Sequence, residues 1–216
     1  EFDINKHVVK PYVLSDNNRL YMSLDYGLDM LACFWYSVDH EGYVTVYREL
    51  YESNLIIDDA ARAIKNAMVQ GELSKITCIF APKDLWNRRQ ETGKSVSDRF
   101  ADLGLYLDKV SNGREAGWYE VKRYLRPQTD VFGDTRPKLQ IFNTCRNLIR
   151  TLPAVRHDEK KPNDIAKEPH ELTHAPDALR YFCDGLPLPA EPETKRNIII
   201  HTYDDETEDF NDYNGF

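Results

Sequence analysis

Three short runs rich in aromatic and β-branched residues follow one another near the start of this 216-residue chain, at residues 19–24, Leu31–Val38 and 43–50. Such residue types favour a pleated, half-buried surface, so all three runs predict strands. The second and third are separated by Asp39-His40-Glu41-Gly42, a short polar stretch ending in glycine, which predicts a hairpin. The period then changes. Asp58 and Asp59 open a predicted helix whose apolar positions Ala60, Ala61, Ile64, Ala67 and Met68 share one stripe, with Gly71 beyond its last turn. Residues 75–80 read as a buried strand ending at Ala81-Pro82. Ser95-Val96-Ser97-Asp98 is a capping box with Asp in the usual Glu place, opening a helix to about Leu103. A helix over 115–125 is stopped by Pro127, a strand spans 138–142, and Thr144 is placed to cap a helix running through Arg150. A last helix, around 177–183, ends at Gly185. Antiparallel strands feeding alternating helices and strands predict an α/β fold, a mixed β-sheet with helices on both faces.

Charge decides less than its distribution. The net value of −8 argues against a polyanionic partner, but residues 83–150 hold 14 Lys/Arg against 9 Asp/Glu. Residues 187–216 hold 8 acids against 2 bases and read as an acidic extension, in which the apolar run 197–203 is a candidate edge strand. A polyanion bound at one face responds to the local field, so this pattern permits DNA binding. Cys33, Cys78, Cys145 and Cys183 stand apart in apolar contexts, as buried reduced thiols of a cytosolic protein do. No apolar run approaches membrane-spanning length, so no membrane partner is expected. Glu1 is not an initiator and no signal peptide precedes it, which suggests a piece of a longer polypeptide with residues 1–18 as a lead-in from a preceding domain.

The candidate chemistry rests on carboxylates far apart in sequence. Asp25 closes the first strand and is followed by Tyr26-Gly27; Asp177 stands at the start of the last helix, three residues after His174 and so on the same helical face. Asp84, just past the strand at 75–80, is the natural third acid, with Asp98 as the fallback. Each has an ordinary structural explanation: a turn carboxylate for Asp25, a cap for Asp84, a helix-end charge or a partner for Arg180 in the case of Asp177. Brought together they are hard oxygen donors with an imidazole beside them, suited to Mg²⁺ or Mn²⁺. Gly93-Lys94-Ser95 mimics the end of a phosphate-binding loop, but the glycine such a loop needs five residues before Gly93 is Arg88, so no ATPase site is read here. Trp86, Arg88, Arg89 and Lys94 instead mix an aromatic with cations as a DNA-facing surface does, and Arg114 with Trp118 offers a second such patch.

Taken together, the segments 23–27, 81–95, 114–118 and 170–181 resemble the C-terminal nuclease domain of bacteriophage large terminase subunits, over nearly the whole chain up to Gly185. The resemblance implies a ribonuclease-H-like nuclease domain over residues 19–186. It implies an endonuclease that cuts double-stranded phage DNA during genome packaging, with two ions of Mg²⁺ or Mn²⁺ as cofactors. Asp25 would bridge the two ions, Asp84 would hold one, and Asp177 with His174 the other. Many members carry an acid directly at the end of the strand where this chain has Ala81, so Asp84 must reach back. Implied partners are an N-terminal ATPase domain of the same polypeptide, the small terminase subunit and the portal, in the host cytoplasm.

The expected reaction is two-metal hydrolysis of a phosphodiester with little sequence specificity, since the cations suit phosphates better than base edges. Two rivals stand beside it. One is a non-catalytic DNA or portal docking module whose acids are structural. The other keeps the fold and changes the substrate, as in a resolvase or a transposase-type nuclease.

Overall fold

The computed structural model describes residues 2–189 except 28, 111, 112, 130–132, 134, 162 and 167. A short helix α1 (Ile4–His7) and a two-residue strand β1 (Val8–Val9) lead into β2 (Arg19–Tyr26), β3 (Leu31–Val38) and β4 (Val44–Glu52). Then come α2 (Ile57–Asn66), β5 (Ile76–Pro82), α3 (Val96–Asp102), β6 (Asp108–Val110) and α4 (Arg114–Leu125). The small strands β7 (Pro127–Thr129) and β8 (Thr135–Pro137) precede β9 (Leu139–Phe142), α5 (Arg146–Thr151) and α6 (His174–Gly185).

Seven strands form one mixed sheet in the order β1-β9-β4-β3-β2-β5-β6. β2, β3 and β4 are antiparallel neighbours, while β5 lies parallel to β2 and β9 parallel to β4. β3 is buried along its whole length, which explains its unbroken apolar reading: helices cover both of its faces. Strand alternation then sorts the side chains. Tyr21 on β2 and Ala32, Phe34, Tyr36 and Val38 on β3 meet α4, α5 and α6; Met22, Leu24, Leu31, Cys33 and Trp35 meet α2 and α3.

Parity therefore places Asp25 with Tyr21 and Ser23, on the α6 side. The seating of α6 is specific. Ser23 Oγ donates to the Ala178 carbonyl at 2.6 Å, Tyr36 stacks on Phe182 with ring centroids 3.8 Å apart, and Gly185 lies against Phe80. A Cβ at Gly185 would stand 2.4 Å from that ring, so only glycine admits this approach.

The ribonuclease-H-like α/β architecture and most predicted elements hold; four details do not. Residues 1–18 are more than a lead-in, because β1 pairs in parallel with β9 and the buried His7 ring bonds the Leu125 carbonyl at 2.9 Å. Thr144 does not cap α5. The helix begins after Cys145, and Glu49 of β4 takes the N–H groups of Asn147 and Leu148 instead, so a tertiary carboxylate does the capping. The β7–β8 ribbon has no counterpart among the predicted elements. Trp118 is buried against α6 rather than facing solvent. The predicted run at 197–203 and the rest of the acidic extension from residue 190 lie outside the described residues. Cys33, Cys145 and Cys183 are buried free thiols and Cys78 is half-buried; burial pushes the Cys145 thiol up to about 12.

Candidate metal centre

The parallel pair β2 and β5 ends at one edge of the sheet, and the acids are delivered there. Asp25 is the penultimate residue of β2, and the chain leaves β5 at Pro82 into a single 3₁₀ turn, Lys83–Trp86, that carries Asp84 on its exposed side. In open α/β sheets this carboxyl edge is where ligands bind. The N-terminal end of α6 covers it. Pro176 is accepted there because the first helical turn leaves its N–H groups without intrahelical partners.

His174 is the hinge of the arrangement. Its Nδ1 meets Asp25 Oδ2 at 2.9 Å and its Nε2 meets Asp29 Oδ2 at 3.2 Å. Asp29 belongs to the β2–β3 turn and also lies 3.2 Å from Nδ1 of His170. His174 is buried, whereas the side chains of Asp29 and His170 are 57% and 60% exposed. Burial holds the Asp25 carboxyl above the usual carboxylate range; the hydrogen bond with His174 opposes this, and the charges of Asp177 and Asp84 add to it. The same hydrogen bond with Asp25 raises His174 above an ordinary histidine against the effect of its burial, with the charges of Asp25 and Asp29 contributing.

One helical turn on, Asp177 has a different environment. Arg114 Nη1 lies 3.1 and 3.2 Å from its two oxygens and Arg180 Nε donates to Oδ1 at 2.9 Å. Arg114 also reaches Asp164 through Nε at 3.1 Å, leaving its buried Nη2 without a partner among the described residues. Gly117 makes room for this: a Cβ there would stand 2.8 Å from Arg180 Cγ. Arg114 is thus built into an ion-pair network and is not the open DNA-facing cation expected from the sequence, and Trp118 lies beneath that network, 6.0 Å from the Arg180 guanidinium.

The remaining candidates separate cleanly. Asp98 completes the capping box of α3, with Ser95 Oγ accepting from Asp98 N–H at 3.0 Å and Asp98 Oδ2 accepting from Ser95 N–H at 2.8 Å. That use as a cap explains the carboxylate that served as the fallback third acid. Arg88 and Arg89 are exposed in the turn that Arg89 N–H closes on the Lys94 carbonyl at 3.1 Å, while Lys94 pairs with Asp102 at 2.6 Å. Sequence reading missed Asp29 and His170. Only their proximity to His174 marks them, and no spacing rule links residue 29 to residue 170.

Among the described residues, Asp29, His170 and His174 are the group whose ligand atoms lie within 4.8 Å of one another, while Asp25, Asp84 and Asp177 form the carboxylate set that a hard divalent cation would suit by donor type. Asp25 is raised partly by the charges of Asp177 and Asp84, a repulsion that a cation among them would relieve. The fit has a condition: both oxygens of Asp177 already accept from arginine, so a cation there must use the lone pairs that Arg114 and Arg180 leave.

The sheet order and the site at its carboxyl edge define an α/β protein of the ribonuclease-H-like class. More particularly, the fold is that of the nuclease domains of phage large terminases. The P22 large terminase nuclease domain superposes with a TM-score of 0.65 at 19% identity, covering 86% of this chain and 90% of that one. The large terminase of a thermophilic bacteriophage gives 0.65 at 17% identity, covering 87% of this chain and 44% of its own. The nuclease domain of the SPP1 large terminase, solved with bound Mn, gives 0.50 at 15% identity over 81% of this chain and 92% of that one. This chain thus spans less than half of the thermophilic phage protein. No protein-family model matches the sequence, and no curated protein matches it.

Proposed function

We propose that this chain is the nuclease domain of a phage large terminase subunit, cutting double-stranded DNA during genome packaging by metal-dependent phosphodiester hydrolysis with little sequence specificity. What supports the reading is the bond between His174 and Asp25 at the carboxyl end of β2, the charges of Asp177 and Asp84 acting on Asp25, and a fold shared with such nuclease domains. In this reading Asp25, Asp84 and Asp177 hold two ions of Mg²⁺ or Mn²⁺. When bound, those ions supply hydroxide at neutral pH and neutralise charge building on the phosphate.

The chain's own groups do the rest. Asp25 fixes the His174 ring through Nδ1, and Nε2, which meets Asp29 Oδ2 at 3.2 Å, is the atom that exchanges a proton. Arg114 and Arg180 hold the Asp177 carboxylate in one orientation, so that it presents oxygen in one direction. Arg88, Arg89 and Lys94, beyond Asp84 on the same edge, contact phosphates and position the duplex without reading bases. The domain division follows the same reading, with the nuclease body over 19–186 joined by the preceding segment that adds β1 to its sheet, the acidic extension after it, and an ATPase domain, small subunit and portal as partners in the host cytoplasm.

The test is nicking of supercoiled plasmid by the full chain with Mn²⁺. Cutting that EDTA abolishes is expected. One observation favours the rival docking module, namely that Asp177 is already neutralised by two arginines. A module of that kind leaves the plasmid intact and shows no metal-dependent thermal shift.

A further inference from the structure

The end of the sheet away from the carboxylates carries the opposite charge. Arg19 opens β2, six residues before Asp25, so the two ends lie about 20 Å apart. Two neighbouring cavities of about 590 and 710 Å³ share His40 and Lys138 there. Arg19, Arg123, Arg126, Arg136 and Lys138 line them, against two acids, Asp39 and Glu41. We propose that residues 204–212 of this same chain, its most acidic run, dock in this cationic groove.

Charge is the first support. The lining keeps a surplus of positive charge even with both of its acids ionised, Glu41 meeting Arg136 at 3.7 Å. The Arg136 guanidinium and the Lys138 ammonium both stand 3.7 Å from the centre of the Tyr43 ring. Cations gathered in this way repel each other, and carboxylates in the groove would offset the repulsion. Residues 204–212 hold six Asp/Glu and no Lys/Arg. The second support is where the chain goes. Leu188 and Pro189 form part of the wall of the larger cavity, and Arg123 fastens them by donating to the Leu188 carbonyl at 2.9 Å and to the Pro189 carbonyl. Pro189 is the last described residue. Fourteen residues separate it from Asp204, and at up to about 3.5 Å each they are ample to return the acidic run to the groove. A tethered ligand binds at high effective concentration, so exposed ion pairs that are weak one by one suffice.

The assignment is independent of the nuclease reading, because neither cavity is lined by a residue of the metal centre. The experiment is carbodiimide coupling of the full chain, which joins a lysine amine to a carboxylate in direct contact, followed by mass spectrometry of the linked peptides. Lys138 is the reporter. At low salt a link within one chain from Lys138 to residues 204–212 is expected, and it should fade in about 1 M NaCl, where the screening length is about 3 Å. Arg19→Glu combined with Arg136→Glu leaves both reacting groups in place and reverses the field. Coupling should then fall about 10-fold in a chain that still melts cooperatively. Arg19→Glu alone, at an exposed strand end, should give a smaller fall and guards against a folding defect. No link from Lys138 to that run, or a link untouched by the double reversal, would overturn the proposal. Links found only between two chains would give the groove to a second copy, and loss of duplex binding by the double variant of a chain that shows no link would give it to DNA. Either result overturns docking within one chain.

Discussion

The two ends of the first turn of α6 solve the same electrostatic problem in opposite ways. At His174 an imidazole is shared by Asp25 and Asp29, and Asp25 sits in the field of two more carboxylates. Three residues on, Asp177 is closed off by the guanidinium groups of Arg114 and Arg180. The first end has surplus negative charge and a titratable cation; the second carries fixed cations in a rigid cage. A helix can thus carry an open, cation-seeking site and a pre-neutralised anchor on one face. The arginine cage fixes Asp177 and holds the helix in register beside the open end.

The largest effect sharpens what completes the open end. Asp84→Asn should lower the rate of plasmid cutting by about 10³-fold, since metal-borne charge stabilisation is worth several kcal/mol and each 1.36 kcal/mol is a decade. Asp98→Asn should cut at the wild-type rate, because that carboxylate is occupied with its helix cap. Cutting kinetics on the same plasmid preparation decide between the two acids.

Breaking the closed end comes next. Arg180→Ala leaves the buried Asp177 with one arginine in place of two and strips packing from Trp118 and Tyr181. Removing one member of a buried ion pair costs about 3 kcal/mol at the lower end of the usual range. For a domain of this size that lowers Tm by about 6–12 °C, read by thermal denaturation. A fall of a degree or less would mean that Arg114 alone anchors the helix.

A third test uses a buried carboxylate outside the site as the reference. Glu72 accepts from Arg48 at 2.7 Å, Tyr47 at 2.8 Å and the Val69 N–H at 2.9 Å. Burial alone would raise its carboxyl, but these bonds outweigh burial and hold it below the ordinary glutamate value. Its stabilisation is therefore present above the unfolded-chain pKa and is lost as pH falls through the lowered folded value. Glu72→Gln should cost about 2 kcal/mol at pH 7, and the gap to wild type should begin to close once pH drops below about 4.3. Denaturant melts at several pH values measure it. The smallest effect is the cap: Ser95→Ala should cost about 1 kcal/mol by the same melts and leave both ends of α6 unaltered.

Much of this architecture is legible in local pattern. Leu31–Val38 is read to the residue because burial on both faces leaves an unbroken apolar run, and the Ser95–Asp98 box is a contact between residues three apart. What escapes is tertiary. Glu49 caps a helix about a hundred residues away, β1 is too short to show alternation, and His170 and Asp29 share a site only because α6 folds back over β2. Arg114 and Trp118 mislead for a related reason. A cation and an aromatic four residues apart look alike on a DNA-facing surface and on a helix packed against a buried carboxylate, and only the position of Asp177 separates the two.

The most direct test of the central claim is Asp25→Asn, assayed for Mn²⁺-dependent cleavage of supercoiled plasmid beside the wild-type chain, with a thermal melt to verify folding. Loss of cutting by about 10³-fold in a variant that still melts cooperatively is the predicted result. Cutting at the wild-type rate by that folded variant would contradict the account, because Asp25 is the carboxylate that joins the His174 imidazole to the field of Asp84 and Asp177.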